Sequence, residues 1–227
     1  MVSRVRGGAA TVMPREGSWL RLSMVAGMAC LLLACARLPY ETTTIQSTER
    51  LRVSLQHEVE PAAYGHPVEL TVPDLAALLA GYSIRPQPSL PLRWHAEESP
   101  PSRLFRADEI QTLAPVLAEA LRRATPEERV AFTLLGPGMN PRYDRDVFGG
   151  WLAIRNGLLR MTIEYFHQPQ PATRFSPYDY NYPTPPSAPG AYVLYFEPGR
   201  FWVLDEAKTS RAVDLRGFLK SGVRPTR

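Results

Sequence analysis

Leu152-Ala153-Ile154-Arg155-Asn156-Gly157-Leu158-Leu159-Arg160-Met161-Thr162-Ile163-Glu164-Tyr165 decides the fold. Asn156-Gly157 is a strong hairpin signal, because a type I′ turn needs positive φ at both central residues and this pair tolerates it. A two-residue loop pairs Arg155 with Leu158, Ile154 with Leu159 and Leu152 with Met161. That register puts Leu152, Ile154, Leu159, Met161, Ile163 and Tyr165 on one face, with Arg155, Arg160, Thr162 and Glu164 on the other. Turn chemistry and hydrophobic alternation are independent signals, and here they agree. The hairpin therefore belongs to an antiparallel sheet with one buried face.

Working upstream, Leu51 to Leu55 alternates apolar and polar, and Val68–Leu70, Tyr82–Arg85 and Val130–Leu135 also read as strands. Leu90–His95 suits an edge strand. Thr71-Val72-Pro73-Asp74 has the form of a capping box and opens a short helix over Leu75–Ala80, with Gly81 as the expected left-handed stop. The chain's strongest helix pattern runs from Asp108 to Ala124. Acids stand at its start and Arg122-Arg123 at its end, matching the macrodipole, and Ile110, Leu113, Leu117 and Leu121 share a face. Pro115 either kinks this helix or starts a second one. Thr125 to Glu128 caps a further turn. Gly136-Pro137-Gly138 ends a strand and leads into a polar loop through Asp146.

Downstream, Tyr192–Glu197 and Phe201–Asp205 read as a hairpin around Pro198-Gly199. Leu194, Phe196, Phe201 and Val203 line one face and Val193, Tyr195, Trp202 and Leu204 the other, so this pair should be central and covered twice. Asp214 caps a last short helix through Lys220. Proline concentrates in residues 86–102 and 168–190, where regular structure is not expected. The expected fold is α+β: an antiparallel sheet of about four to six strands with a long helix packed on one face.

The N-terminal region has a different character. Leu22 to Ala34 contains no charged residue, a run of 13, whereas spanning a bilayer as a helix takes about 20. Arg4, Arg6, Arg15 and Arg21 precede it and keep the leading end cytoplasmic. The run ends at Leu32-Leu33-Ala34-Cys35, which resembles the signal sequence and lipobox of bacterial lipoproteins. The resemblance implies cleavage before Cys35 and acylation of Cys35, hence a lipid bilayer as first partner, held by several acyl chains. It also implies a cell-envelope location. Ala36 in place of an inner-membrane retention aspartate implies the outer membrane rather than the inner. Ordinary secretion with cleavage near Ala34, or a cytosolic protein with an apolar helix, are the competing readings. Translation from Met13 would leave Arg15 and Arg21 as the charged flank. The expected organisation is signal peptide 1–34, polar tether 35–50 and a single domain 51–227.

Removing the signal changes the composition. The chain has 26 basic and 22 acidic residues. Four arginines and Glu16 leave with the signal, so the remainder is 22 against 21. The high isoelectric point is thus no nucleic-acid footprint. Cys30 and Cys35 are the only cysteines, so the mature domain has no disulfide, thiol nucleophile or zinc-thiolate site.

Chemistry-bearing motifs are absent. There is no Gly-x-Ser-x-Gly, P-loop or dinucleotide fingerprint, and Pro137 removes an amide from the one glycine-rich loop. His57, His66, His95 and His167 have no metal spacing, so no catalytic, cofactor or metal residue is assigned. Tyr178, Tyr180 and Tyr182 alternate within the second proline-rich stretch and form the one candidate partner-binding surface. The alternative, that they cover the apolar second face of the 192–205 pair, is the stronger of the two. The expected function is a non-catalytic envelope lipoprotein that binds an envelope protein or a small ligand, or plays a structural part. The alternative is a periplasmic hydrolase whose site assembles only in three dimensions, with Asp144, Asp146 and His167 as first suspects.

Overall fold

The computed structural model describes residues 39–87, 100–171, 192–205 and 210–222. They form a mixed α/β fold dominated by antiparallel sheet, with three α-helices. The ten strands are β1 (Tyr40–Ser47), β2 (Leu51–His57), β3 (Tyr82–Pro86), β4 (Ser102–Arg103), β5 (Glu128–Pro137), β6 (Asp144–Arg155), β7 (Leu158–Pro171), β8 (Tyr192–Phe196), β9 (Trp202–Leu204) and β10 (Arg211–Asp214). The helices are α1 (Val72–Ala80), α2 (Ala107–Arg123) and α3 (Leu215–Ser221). Seven strands in the order β1-β2-β5-β6-β7-β10-β9 make the main sheet, and β4-β3-β8 make a second, smaller one. The main sheet exceeds the four to six strands expected, because β1 and β10 carried no apolar alternation to announce them.

The deciding hairpin forms in the expected register: Arg155 pairs with Leu158, Ile154 with Leu159 and Leu152 with Met161. Asn156 and Gly157 take φ of 53° and 76°. Beyond Ile163 the register shifts, since Gly150 pairs with Ile163 but Gly149 with Tyr165. The extra residue, Glu164, is a β-bulge, and it reverses the alternation. Phe166 therefore packs against the core in place of Tyr165. Two glycines sit opposite this bulge for a steric reason. A Cβ on Gly150 would lie 2.1 Å from the Thr162 carbonyl oxygen, and one on Gly149 2.8 Å from that of Phe132.

The buried face of the sheet carries Leu51, Val53, Leu55, Val130, Phe132, Leu152 and Ile154, and α2 meets it with Leu113, Leu117 and Leu121. α2 is a single element through Pro115, which is exposed, so the carbonyl freed at Gln111 lies on the solvent side. At its start the Glu109 carboxylate accepts the Arg106 backbone N–H at 2.8 Å. α1 begins with the Thr71 hydroxyl accepting the Asp74 amide at 3.2 Å. It ends at Gly81, which is not left-handed as expected (φ −77°). Glycine is needed there for space, because a Cβ would meet the Phe196 ring at 2.7 Å and the Glu197 carbonyl at 2.8 Å.

Three other expectations change. β8 and β9 are not a hairpin and neither is central; β8 pairs with β3 and β9 is the edge beside β10. The 3-10 turn Gly199–Phe201 separates them, and Phe196 and Phe201 each pack edge-on against Phe218 of α3. Val68–Leu70 is irregular, tied to α2 by the Val68 N–H to Leu121 carbonyl bond at 3.0 Å. Gln168–Pro171, expected in a proline-rich loop, continues β7. Leu90–His95 lies outside the described residues.

The segment expected as a tether also changes role from residue 40 onward. Tyr40–Ser47 is β1, an edge strand paired antiparallel with β2. It is largely polar because most of it is exposed; Ile45 alone packs against the core, and side-chain bonds add to the ladder in fixing it. The Thr42 hydroxyl donates to Glu128, and Arg52 meets Glu41 at 2.8 Å. Burial pushes the Glu128 carboxyl up, but bonds from Thr42 and the Thr125 amide outweigh it and leave the group below its ordinary value.

Gly150→Ala is expected to destabilise the fold by about 3 kcal/mol, at the upper end of overpacking costs, because its nearest neighbour is backbone. Gly199→Ala, with nothing within 4 Å of its Cβ, should stay within about 0.5 kcal/mol of wild type. Urea midpoints of the two variants make the comparison.

Candidate functional site

The two ends of the main sheet differ in chemistry. One end carries Tyr40, His57, Glu128 and the Asn156-Gly157 turn; the other carries Ser47, Leu51, Pro137, Asp144 and Pro171. The second end holds a cleft of about 160 Å³ between the start of α2 and the ends of β5 and β6, lined by Arg50, Arg106, Glu109, Leu134, Pro137, Asp146 and Phe148 among others.

Three of the lining residues, Arg106, Glu109 and Asp146, form a charged ring with His167. His167 Nδ1 is 2.8 Å from Asp146 Oδ2, and His167 Nε2 is 3.8 Å from Glu109 Oε1. Arg106 Nη1 stands 3.6 Å from Asp146 and 3.7 Å from Glu109. A second bulge places His167. Val147 pairs with Gln168 and Gly149 with Tyr165, so Phe166 and His167 both oppose Phe148. His167 adopts φ 46°, a left-handed conformation uncommon for histidine, and its ring stacks on Phe148 at 5.1 Å. The bulge turns the imidazole toward Asp146, where regular alternation would not.

Asp146 and His167, two of the three suspects, thus meet. Asp144 takes no part in the ring. Arg106 and Glu109 were missed, since their sequence signal was only that of a helix start. Each ring nitrogen of His167 faces a carboxylate, and no serine or threonine hydroxyl bonds it among the described residues. The remaining histidines are dispersed. His57 stacks on Tyr40 and pairs with Glu127, which holds its imidazole above the ordinary range. His66 is buried, and His95 lies outside the described residues. No group of three ligating residues that could hold a metal ion occurs among the described residues. Cys35, Tyr178, Tyr180 and Tyr182 also lie outside them.

Beside the cleft, the loop from Gly138 to Tyr143 exposes apolar surface. Met139 is fully exposed and Tyr143 is 47% exposed. Arg142 lies over the Tyr143 ring at 5.7 Å. Small-molecule pockets commonly run from about 300 Å³ upward. The cleft is about half that, room for a side chain rather than a cofactor.

No protein-family model, no curated protein and no solved structure matches the chain.

His66 gives this molecule a separate acid sensitivity. Its Nε2 accepts the Ile154 N–H at 3.1 Å, which only an unprotonated nitrogen can do. Burial lowers its pKa to about 4, against a smaller upward pull from the Leu121 backbone and from Glu128. The unfolded chain takes up this proton below its ordinary value of 6.5 and the folded chain does not until about 4. Stability from this group is therefore complete above pH 6.5 and lost as pH falls toward 4. Between pH 7 and 5 the loss is about 2 kcal/mol. His57, held above its ordinary range, acts with the opposite sign. Denaturant unfolding at both pH values should show the wild type losing about 2 kcal/mol more than His66→Gln, whose amide oxygen can accept the same N–H without titrating.

Proposed function

We propose that this chain is a bacterial lipoprotein, anchored through acylated Cys35 in the cell envelope, whose folded domain binds another envelope protein at the cleft end of its sheet. The observation that carries the anchoring is the stretch Arg21 to Cys35: charge, then an uncharged run too short to span, then Leu-Leu-Ala-Cys. No helix among the described residues is long and apolar enough to cross a membrane. Ala36 favours the outer membrane as its address.

Binding is favoured over turnover by the contents of the cleft end. Charges there are arranged in opposed pairs, and exposed Met139 and Tyr143 flank a cavity of side-chain size. Exposed methionine and tyrosine beside an arginine are contact chemistry.

A periplasmic hydrolase is the second reading, and one observation favours it. Asp146 orients the imidazole of His167 from a strained backbone, an arrangement that recurs at active sites. It requires turnover of a simple ester or phosphoester that His167→Gln abolishes while His57→Gln does not.

Metabolic labelling with palmitate tests the anchor. The wild type should incorporate label and Cys35→Ala should not; label that survives the substitution overturns the assignment. For the binding end, a photo-crosslinking residue at Tyr143 should give a discrete adduct in envelope membranes. The same residue at Glu119, on the exposed flank of α2, should give none.

A further inference from the structure

Sulfur is scarce in the folded part of this chain. Past Cys35 there is no cysteine, and Met139 and Met161 are the only methionines after Met28. The fold separates those two. Met161 lies in β7 within the core at 8% exposure, while Met139 is 100% exposed, the highest value among the large apolar residues described. Oxidation of a sulfur follows access, so one of the two thioethers is open to oxidants and the other is shielded.

The exposure of Met139 is built into its loop. The Gly138 N–H reaches the Asp144 carbonyl at 3.4 Å, and the Tyr143 and Asp144 N–H groups both donate to the Asn140 carbonyl at 2.8 Å. A Cβ on Gly138 would stand 2.6 Å from that of Asp144, so the two arms of the loop meet at its neck. Pro137 and Pro141 flank the tip and fix φ on either side. Arg142 lies over the Tyr143 ring, and Arg145 donates to the Pro141 carbonyl at 3.2 Å. The loop is thus closed by its own bonds and carries the methionine at its tip, beside half-exposed Tyr143.

We propose that Met139 is a modification site: hydrogen peroxide oxidises its thioether to the sulfoxide, and the loop in that form releases its protein partner. The sulfur lone pair attacks one peroxide oxygen, and the S–O bond forms as the O–O bond breaks. The proton of the transferred hydroxyl goes to the departing hydroxide, which leaves as water. The sulfur is oxidised and the peroxide reduced by the same electron pair. The product carries a polar, hydrogen-bond-accepting oxygen where the partner met a flexible apolar chain. Release of the partner rests on the binding reading of the cleft end; the oxidation does not.

The test has two arms. The purified protein is treated with hydrogen peroxide and digested with trypsin, which cuts after Arg129, Arg142, Arg160 and Arg174 and so puts the two methionines on separate peptides. Peptide 130–142 should gain the mass of an oxygen atom about tenfold faster than peptide 161–174, and the rates should converge in urea. Comparable rates in the folded protein overturn the selectivity; a gap that persists in urea is not due to the fold and overturns it too. For release, protein carrying the photo-crosslinking residue at Tyr143 is oxidised, freed of peroxide and mixed with solubilised envelope membranes, so that only this chain has met the oxidant. Adduct yield should fall about tenfold, the order expected when an unpaired polar atom enters an apolar contact. Methionine sulfoxide reductase should restore it. Yield unchanged by oxidation, or lost without recovery, overturns the proposal. No adduct from the untreated protein overturns the binding reading, and release with it, while the peptide rates still decide the oxidation.

Discussion

The close approach of three strands at Gly149 and Gly150 is the constraint on which the rest of the molecule depends. No side chain fits between these residues and the carbonyls of Phe132 and Thr162. Without Cβ atoms, β6 can lie flat against both neighbours while β7 carries two extra residues past it. Each bulge resets the alternation of β7. The first brings Phe166 onto the core, and the second turns His167 back toward Asp146. A regular β7 would have put Tyr165 inside and left His167 with no reason to meet a carboxylate from β6. The charged ring, the stacked Phe148 and the cleft wall all follow from that backbone path.

How much of this was legible in the sequence depends on which forces act locally. The Asn156-Gly157 turn and its register were readable because turn chemistry and apolar alternation are both short-range. So was the start of α1 at Thr71, where a hydroxyl, a proline and an acid are close neighbours in the chain. The bulges were not, since a bulge is a property of two strands and the sequence displays one at a time. Gly149-Gly150 was the available signal: paired glycines inside a strand pattern mark a close approach. Gly81 misled for a related reason. It looked like a left-handed stop, but what excludes a Cβ there is the ring of Phe196, distant in the chain.

β1 shows where composition fails as a guide. A threonine-rich, polar run reads as tether when a strand is recognised by an apolar face. An edge strand needs no such face if its side chains find partners, and here Thr42 reaches Glu128 across β2. That bond ties the first strand to the turn that follows α2, so the domain is closed within a few residues of Cys35. Glu128 was visible in the sequence only as one of a pair of neighbouring acids, a pattern that usually marks a solvated face. Its burial at 6% exposure, with the Thr125 amide on the same carboxylate, makes it structural.

These two features give the domain a polarity. At the β1 end, side-chain hydrogen bonds fasten the first strand to β2 and to Glu128. At the other end, the bulges gather Arg106, Glu109, Asp146 and His167 beside exposed Met139 and Tyr143. β1, β2, β5, β6 and β7 are consecutive neighbours in the main sheet and run between the two ends. The sheet is the scaffold of the cleft, and the same glycines that shape the site let β6 lie close against β5 and β7.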